Sequence, residues 1–165
     1  MPRIKEFNIT DALSYSYEYA MKRNPRYLDF TKYGGNCTNY ISQCVYAGAK
    51  VMNYTKTFGW YYNSSSDRSP SWTSVNYFYK FLTTNKTKGP FASEIELNNI
   101  QVGDIIQLMN PMNEFYHTLF VVEVSEPIRP EHILINANDY DALRRPLDTY
   151  NYVDYRCLHI DGVYV

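Results

Sequence analysis

Cys37 follows Gly34-Gly35-Asn36 and opens a stretch in which Tyr40, Ile41, Cys44 and Val45 share one helical face, which puts a thiol in a helix's first turn. A free cysteine ionises at about pH 8.5, and the exposed N–H groups and positive dipole end of that turn favour its thiolate. A reactive Cys37 is the expectation. Two glycines before it let the chain turn sharply and leave room for a substrate backbone. A thiolate attacking an amide needs a proton for the leaving amine, and His117, at the head of His117-Thr-Leu-Phe-Val-Val, can supply it. A third group, a hydrogen-bond acceptor, would hold the imidazole in its useful tautomer. Asn138, just past the run Ile133 to Ala137, is where a neighbouring strand would deliver one. The chemistry these three define is amide cleavage through a thioester.

The elements that must position them can be read from periodicity. Asn8 to Arg23 carries Ala12, Leu13, Ser16, Tyr17, Ala20 and Met21 at helical spacing, with Asn8 or Thr10 as cap and Asn24-Pro25 as stop. The cysteine helix follows, with Gly48 as its C-terminal cap. Lys56 to Ser71 has no period and reads as a loop, after which Trp72, Val75, Phe78, Tyr79 and Leu82 mark a third helix. Beyond Gly89-Pro90 the character changes. Asp104 to Leu108, Thr118 to Val124, Ile133 to Ala137 and Tyr155 to Ile160 are apolar or β-branched runs between turn residues, which predict antiparallel strands. Helices first and strands after is the order of an α+β fold, and 165 residues suit one domain spanning 1–165.

Composition removes several classes of function. The net charge is −1 with the two signs interspersed, so neither a nucleic-acid footprint nor a polybasic membrane patch is visible. No run approaches the roughly 20 apolar residues of a membrane span. Three cysteines argue against a disulfide framework, and Cys44 and Cys157 lie in apolar patterns as buried thiols. Three histidines without CxxC or HxxxH spacing give a zinc site no footing, and no cofactor is expected. The opening Met1-Pro2-Arg3-Ile4-Lys5-Glu6 has no signal-peptide core, which leaves a cytoplasmic protein or a domain excised from an exported one.

A cysteine at a helix N-terminus followed by a histidine at a strand start is the papain-like order, and further motifs sharpen the resemblance. Tyr19-Ala20-x-x-Arg23-Asn24-Pro25-x-Tyr27, Gly34 to Gln43 with its "CTNYISQ", Gly59-Trp60-Tyr61-Tyr62, Ser71-Trp72, Gly103-Asp104-Ile105-Ile106-Gln107 and His117 resemble the bacterial putative amidase domain family. These are small modules similar to the papain-like cell-wall cysteine peptidases of the NlpC and CHAP kind. The resemblance runs from about Phe7 to Gly162. It implies a papain-like cysteine peptidase fold, N-terminal helices on an antiparallel sheet, and a peptide or cell-wall-derived amide as substrate. The chain departs from the family's usual pattern twice, with Asn36 for an aspartate and Asn138 for a histidine. Asp141 matches the family's aspartate and is the second candidate to orient His117.

The Cys37 N–H is the expected oxyanion donor. Asn24 is the candidate for a second, or else a cap before Pro25. Trp60, Tyr61 and Trp72 are candidates to line the cleft, with Trp72 alternatively in the core. Hydrolysis is the first reading, and acyl transfer or deamidation would use the same residues. A catalytically idle cleft that binds peptide or glycan on an aromatic rim is the alternative from another class.

Overall fold

The computed structural model describes residues 2–165. It is an α+β arrangement in which an antiparallel sheet carries four helices on one face. Asn8 accepts the Asp11 N–H at 3.0 Å and so caps α1 (Ile9–Tyr19), which ends at Ala20, well before the Asn24-Pro25 stop. The cysteine helix α2 (Cys37–Ala49) begins as expected but runs through Gly48; left-handed Lys50 closes it by donating its N–H to the Tyr46 carbonyl. Gly48 is glycine for another reason, since a Cβ there would lie 2.6 Å from the Phe7 ring and 2.7 Å from the Asn8 carbonyl.

Strands β1 (Ile4–Lys5) and β4 (Gly89–Ile95) both pair with the long β9 (Asp154–Tyr164). From β9 the sheet continues through β5 (Ile105–Met109), β6 (Phe115–Val124), β7 (Ile133–Ala137) and β8 (Ala142–Pro146). The expected loop over Lys56 to Ser71 contains a hairpin, β2 (Tyr62–Ser64) with β3 (Asp67–Arg68). The single third helix is two, α3 (Pro70–Thr73) and α4 (Val75–Thr84), because Ser74 leaves helical geometry to cap the second through the Tyr77 N–H.

Both faces of the sheet are covered. Ile105, Phe120, Val122 and Leu158 face the helices, while Ile106, Leu108, Leu119, Val121, Ile133 and Ile135 form a smaller cluster under turns of the opposite side. Cys44 belongs to the first cluster and Cys157 to the second, so both are inert packing thiols. Trp60 and Trp72 are wholly buried with ring centroids 4.8 Å apart, and Tyr61 is buried beside them. Their indole N–H groups are satisfied by α2 itself, Trp60 by the Ser42 hydroxyl at 3.1 Å and Trp72 by the Asn39 side-chain oxygen at 3.0 Å. These three aromatics therefore anchor the cysteine helix and do not line a cleft, which corrects the substrate-binding expectation.

Candidate active site

Cys37 stands where α2 meets β6. Its sulfur lies 3.7 Å from the Thr38 hydroxyl and 4.0 Å from the Tyr116 carbonyl, and Thr38 reaches the Thr118 hydroxyl at 2.9 Å. This pair of threonines fixes the helix end on the strand that carries His117. The approach to the cysteine demands glycine at position 35: its φ is +110°, and a Cβ there would meet an Asp139 carboxylate oxygen at 2.9 Å. Among the described residues, the Cys37 N–H has no acceptor and is free to face a ligand oxygen.

Two hollows open from the sulfur. One, of about 310 Å³, is walled by Cys37, His117, Asp139, Tyr140, Arg145 and Tyr150. The other, of about 380 Å³, runs past Phe30, Tyr33, Arg68, Asn76 and Phe115. They share Gly34, Gly35, Cys37 and Tyr116, so the cysteine sits on the saddle between them. Around them stand Tyr33, Tyr116 and Tyr140, which are 70%, 42% and 90% exposed and were not among the aromatics named from the sequence.

Cys37 and His117 share a wall of the first hollow, but among the described residues no hydrogen bond joins sulfur to imidazole. Burial pushes the Cys37 thiol above its ordinary value; N–H and hydroxyl contacts from Thr118 and Thr38 oppose this, and the Asp139 charge adds to it. Desolvation is the largest influence on the thiol and opposes the thiolate expected at a helix N-terminus, so the thiol is the resting form. Burial also pulls His117 down to about 4; Arg145 pushes the same way and Asp139 against it. The resting pair is a thiol beside a neutral imidazole.

The depressed histidine carries a stability signature. Its folded value of about 4 lies below the ordinary 6.5, so between those values the unfolded chain binds the proton more readily and folding weakens as pH falls. We expect a loss of about 3 kcal/mol from this group across that window, read by urea unfolding against pH and absent in His117→Asn.

Asn138 comes close to the site without reaching the imidazole. Its amide nitrogen donates to the Ala20 and Ala137 carbonyls at 2.8 and 3.1 Å, and its oxygen accepts from the Asn36 amide at 3.0 Å. Alternation explains the direction: Asn136, two residues earlier, bonds Ser16 on α1 at 3.2 Å, so both asparagines face the helices. Asp141 is likewise engaged elsewhere, holding Arg23 with two bonds of 3.0 Å. Asn24 donates to the Tyr15 hydroxyl at 3.0 Å and lines a separate hollow behind the Gly34–Cys37 loop, away from the sulfur.

The group facing His117 is Asp139. It lines the same hollow as His117, and its charge opposes the burial that pulls the histidine down. One Asp139 oxygen accepts the Asn36 N–H at 2.7 Å, and the other is buried without a partner. His132 and His159 lie outside both hollows, bonded to the Pro127 carbonyl at 2.7 Å and to Asp104 at 2.6 Å.

The architecture and site define an α+β protein with a cysteine-bearing helix set against a histidine-bearing strand. Residues 6–160 match the putative amidase domain, and the chain belongs to that family. It is also similar to the uncharacterized protein YhbB of Bacillus subtilis, with 33% identity over 147 residues. That match covers 87% of this chain and 45% of the relative, so the chain spans less than half of the relative's length. No solved structure matches it significantly. Membership of the family suggests amidase activity, hence a hydrolase.

Proposed function

We propose that the protein is a cysteine amidase of papain-like arrangement, with Cys37 as nucleophile, His117 as general base and acid, and Asp139 as the orienting carboxylate. The observation that carries this reading is the shared wall of Cys37, His117 and Asp139, where one Asp139 oxygen holds the nucleophile loop and the other is unpartnered. As the sulfur attacks the amide carbonyl, the neutral imidazole takes the thiol proton, and the Asp139 charge stabilises the imidazolium that forms. The oxyanion rests on the Cys37 N–H. The imidazolium then protonates the departing amine, leaving a thioester, which water activated by His117 hydrolyses. An amine in place of water would give acyl transfer. Asn138 supports this arrangement by holding Asn36, and Asp141 by holding Arg23.

The saddle position of Cys37 suits an amide with chain on both sides, such as a peptide, of which a bacterial cell-wall peptide is one source. A second reading, an idle binding cleft, is favoured by the missing sulfur–imidazole bond and the raised thiol. Incubation with a synthetic peptide library, followed by mass spectrometry, separates the two. An amidase releases amine products and accumulates an acyl adduct on Cys37. Its kcat/KM is level through neutral pH and falls as His117 protonates at about 4. Peptides retained without cleavage at any pH would establish the binding module instead.

A further inference from the structure

Arg145 is the cation of the hollow that holds His117, and its surroundings fix it in place. Its guanidinium carbon lies 3.7 Å above the Tyr150 ring, while Nε donates to the Thr149 hydroxyl at 2.7 Å and Nη2 to the Thr149 carbonyl at 2.8 Å. Arg23, Arg129 and Arg144 each meet an acidic side chain, and Arg156 packs between the rings of Tyr79 and Phe115 outside this hollow. Arg145 has no carboxylate within 4.0 Å among the described residues. A stacked, doubly tethered guanidinium without a counter-ion is a preorganised anion receptor.

Tyr150 supplies a second, independent observation. Its ring centroid lies 5.7 Å from that of His117, and its hydroxyl is buried beside the Arg145 guanidinium, with no acceptor for its own proton among the described residues. A buried hydroxyl left unpaired is costly, and a ligand acceptor entering this corner would satisfy it. Asp139, on the same hollow, repels an anion, so a negative group must settle toward Arg145 and Tyr150.

We infer that Arg145 and Tyr150 form a specificity corner for a carboxylate on the substrate, displaced from the scissile amide toward the turn that follows β8. The inference rests on Cys37 as the attacking group. It deepens that reading by naming the substrate as a peptide bearing an acidic side chain or a free terminal carboxylate. Neither residue takes part in bond breaking, so both select and position.

Iodoacetate and iodoacetamide, near-isosteric alkylating agents that differ in charge, provide the test. Their rates at Cys37 are followed by mass spectrometry in the wild type, Arg145→Gln and Arg145→Lys. The ratio of iodoacetate to iodoacetamide rate is expected to fall about tenfold in Arg145→Gln, the equivalent of one charge-assisted contact, and to recover partly in Arg145→Lys. The ratio cancels any general change in thiol reactivity. An unchanged ratio in Arg145→Gln overturns the inference and leaves the amidase reading standing.

Should Cys37 resist both reagents, the nucleophile reading fails. The corner is then judged by the Arg145 Nε–H resonance during titration with N-acetylglutamate α-amide and with N-acetylalanine. A saturable shift supports it, and the probe that produces the shift tells a side-chain from a terminal carboxylate. Silence with both overturns it.

Discussion

Cys37→Ala is expected to lower amide hydrolysis by about 10⁴-fold or more while the protein remains folded. The magnitude follows from the chemistry, because without the sulfur there is no thioester and His117 has no proton to take. Neither remaining thiol can replace it: Cys44 is wholly buried and Cys157 is 1% exposed, in clusters on opposite faces of the sheet. Stability should change by about 1 kcal/mol, since a buried side chain loses one atom beside a hollow. Turnover of a cleaved library peptide and thermal unfolding, measured on the same preparations, check both statements. A folded variant keeping a tenth of the activity would remove Cys37 from the reaction.

Asp139→Asn is expected to lower kcat by roughly 10²- to 10⁴-fold with a much smaller effect on KM. Asparagine keeps an oxygen for the Asn36 N–H, so the nucleophile loop stays where it is. What changes is the other end of the side chain, where an acceptor that stabilises the imidazolium becomes a neutral amide. The acid limb gives a second readout. Asp139 raises the His117 pKa toward ordinary values, so its removal should move the limb below about 4, toward lower pH. A kcat unchanged by Asp139→Asn would leave the histidine without this partner.

Much of this arrangement was legible because periodicity and capping are local. Asn8 before α1, the apolar face of α2, and the runs that became β5, β6, β7 and β9 all announce themselves within a few residues. Strand β4 was hidden by Gly89-Pro90, which reads as a turn and in fact opens a strand whose ladder reaches Cys157. Strand β8, Ala142–Pro146, was hidden by a sequence with two adjacent arginines, a closing proline and a single buried residue. The indoles of Trp60 and Trp72 looked like a rim because their neighbours are polar, yet partners 18 and 33 residues away accept their N–H groups. No window on the sequence holds both ends of such a bond.

The third position of the candidate site was partly legible. The sequence marks Asn138 and Asp141 by nearness to a strand end, but they lie in the turn beyond β7, where their directions are set by partners far along the chain, Ala20 and Asn36 for one and Arg23 for the other. The two departures from the family pattern also looked independent. In the fold Asn36 and Asn138 bond one another at 3.0 Å, so they form a matched pair.

The turn after β7 grips three things at once: Asn36 through Asn138 and Asp139, the end of α1 through the Ala20 carbonyl, and Arg23 through Asp141. It works as a keystone, loaded from the loop before Cys37 on one side and from α1 on the other. Helix α1 contributes no side chain to either hollow beside the sulfur, yet it braces the block on which both bear. The seat of the loop that carries Cys37 is therefore set from behind, by an element that a ligand in those hollows never meets.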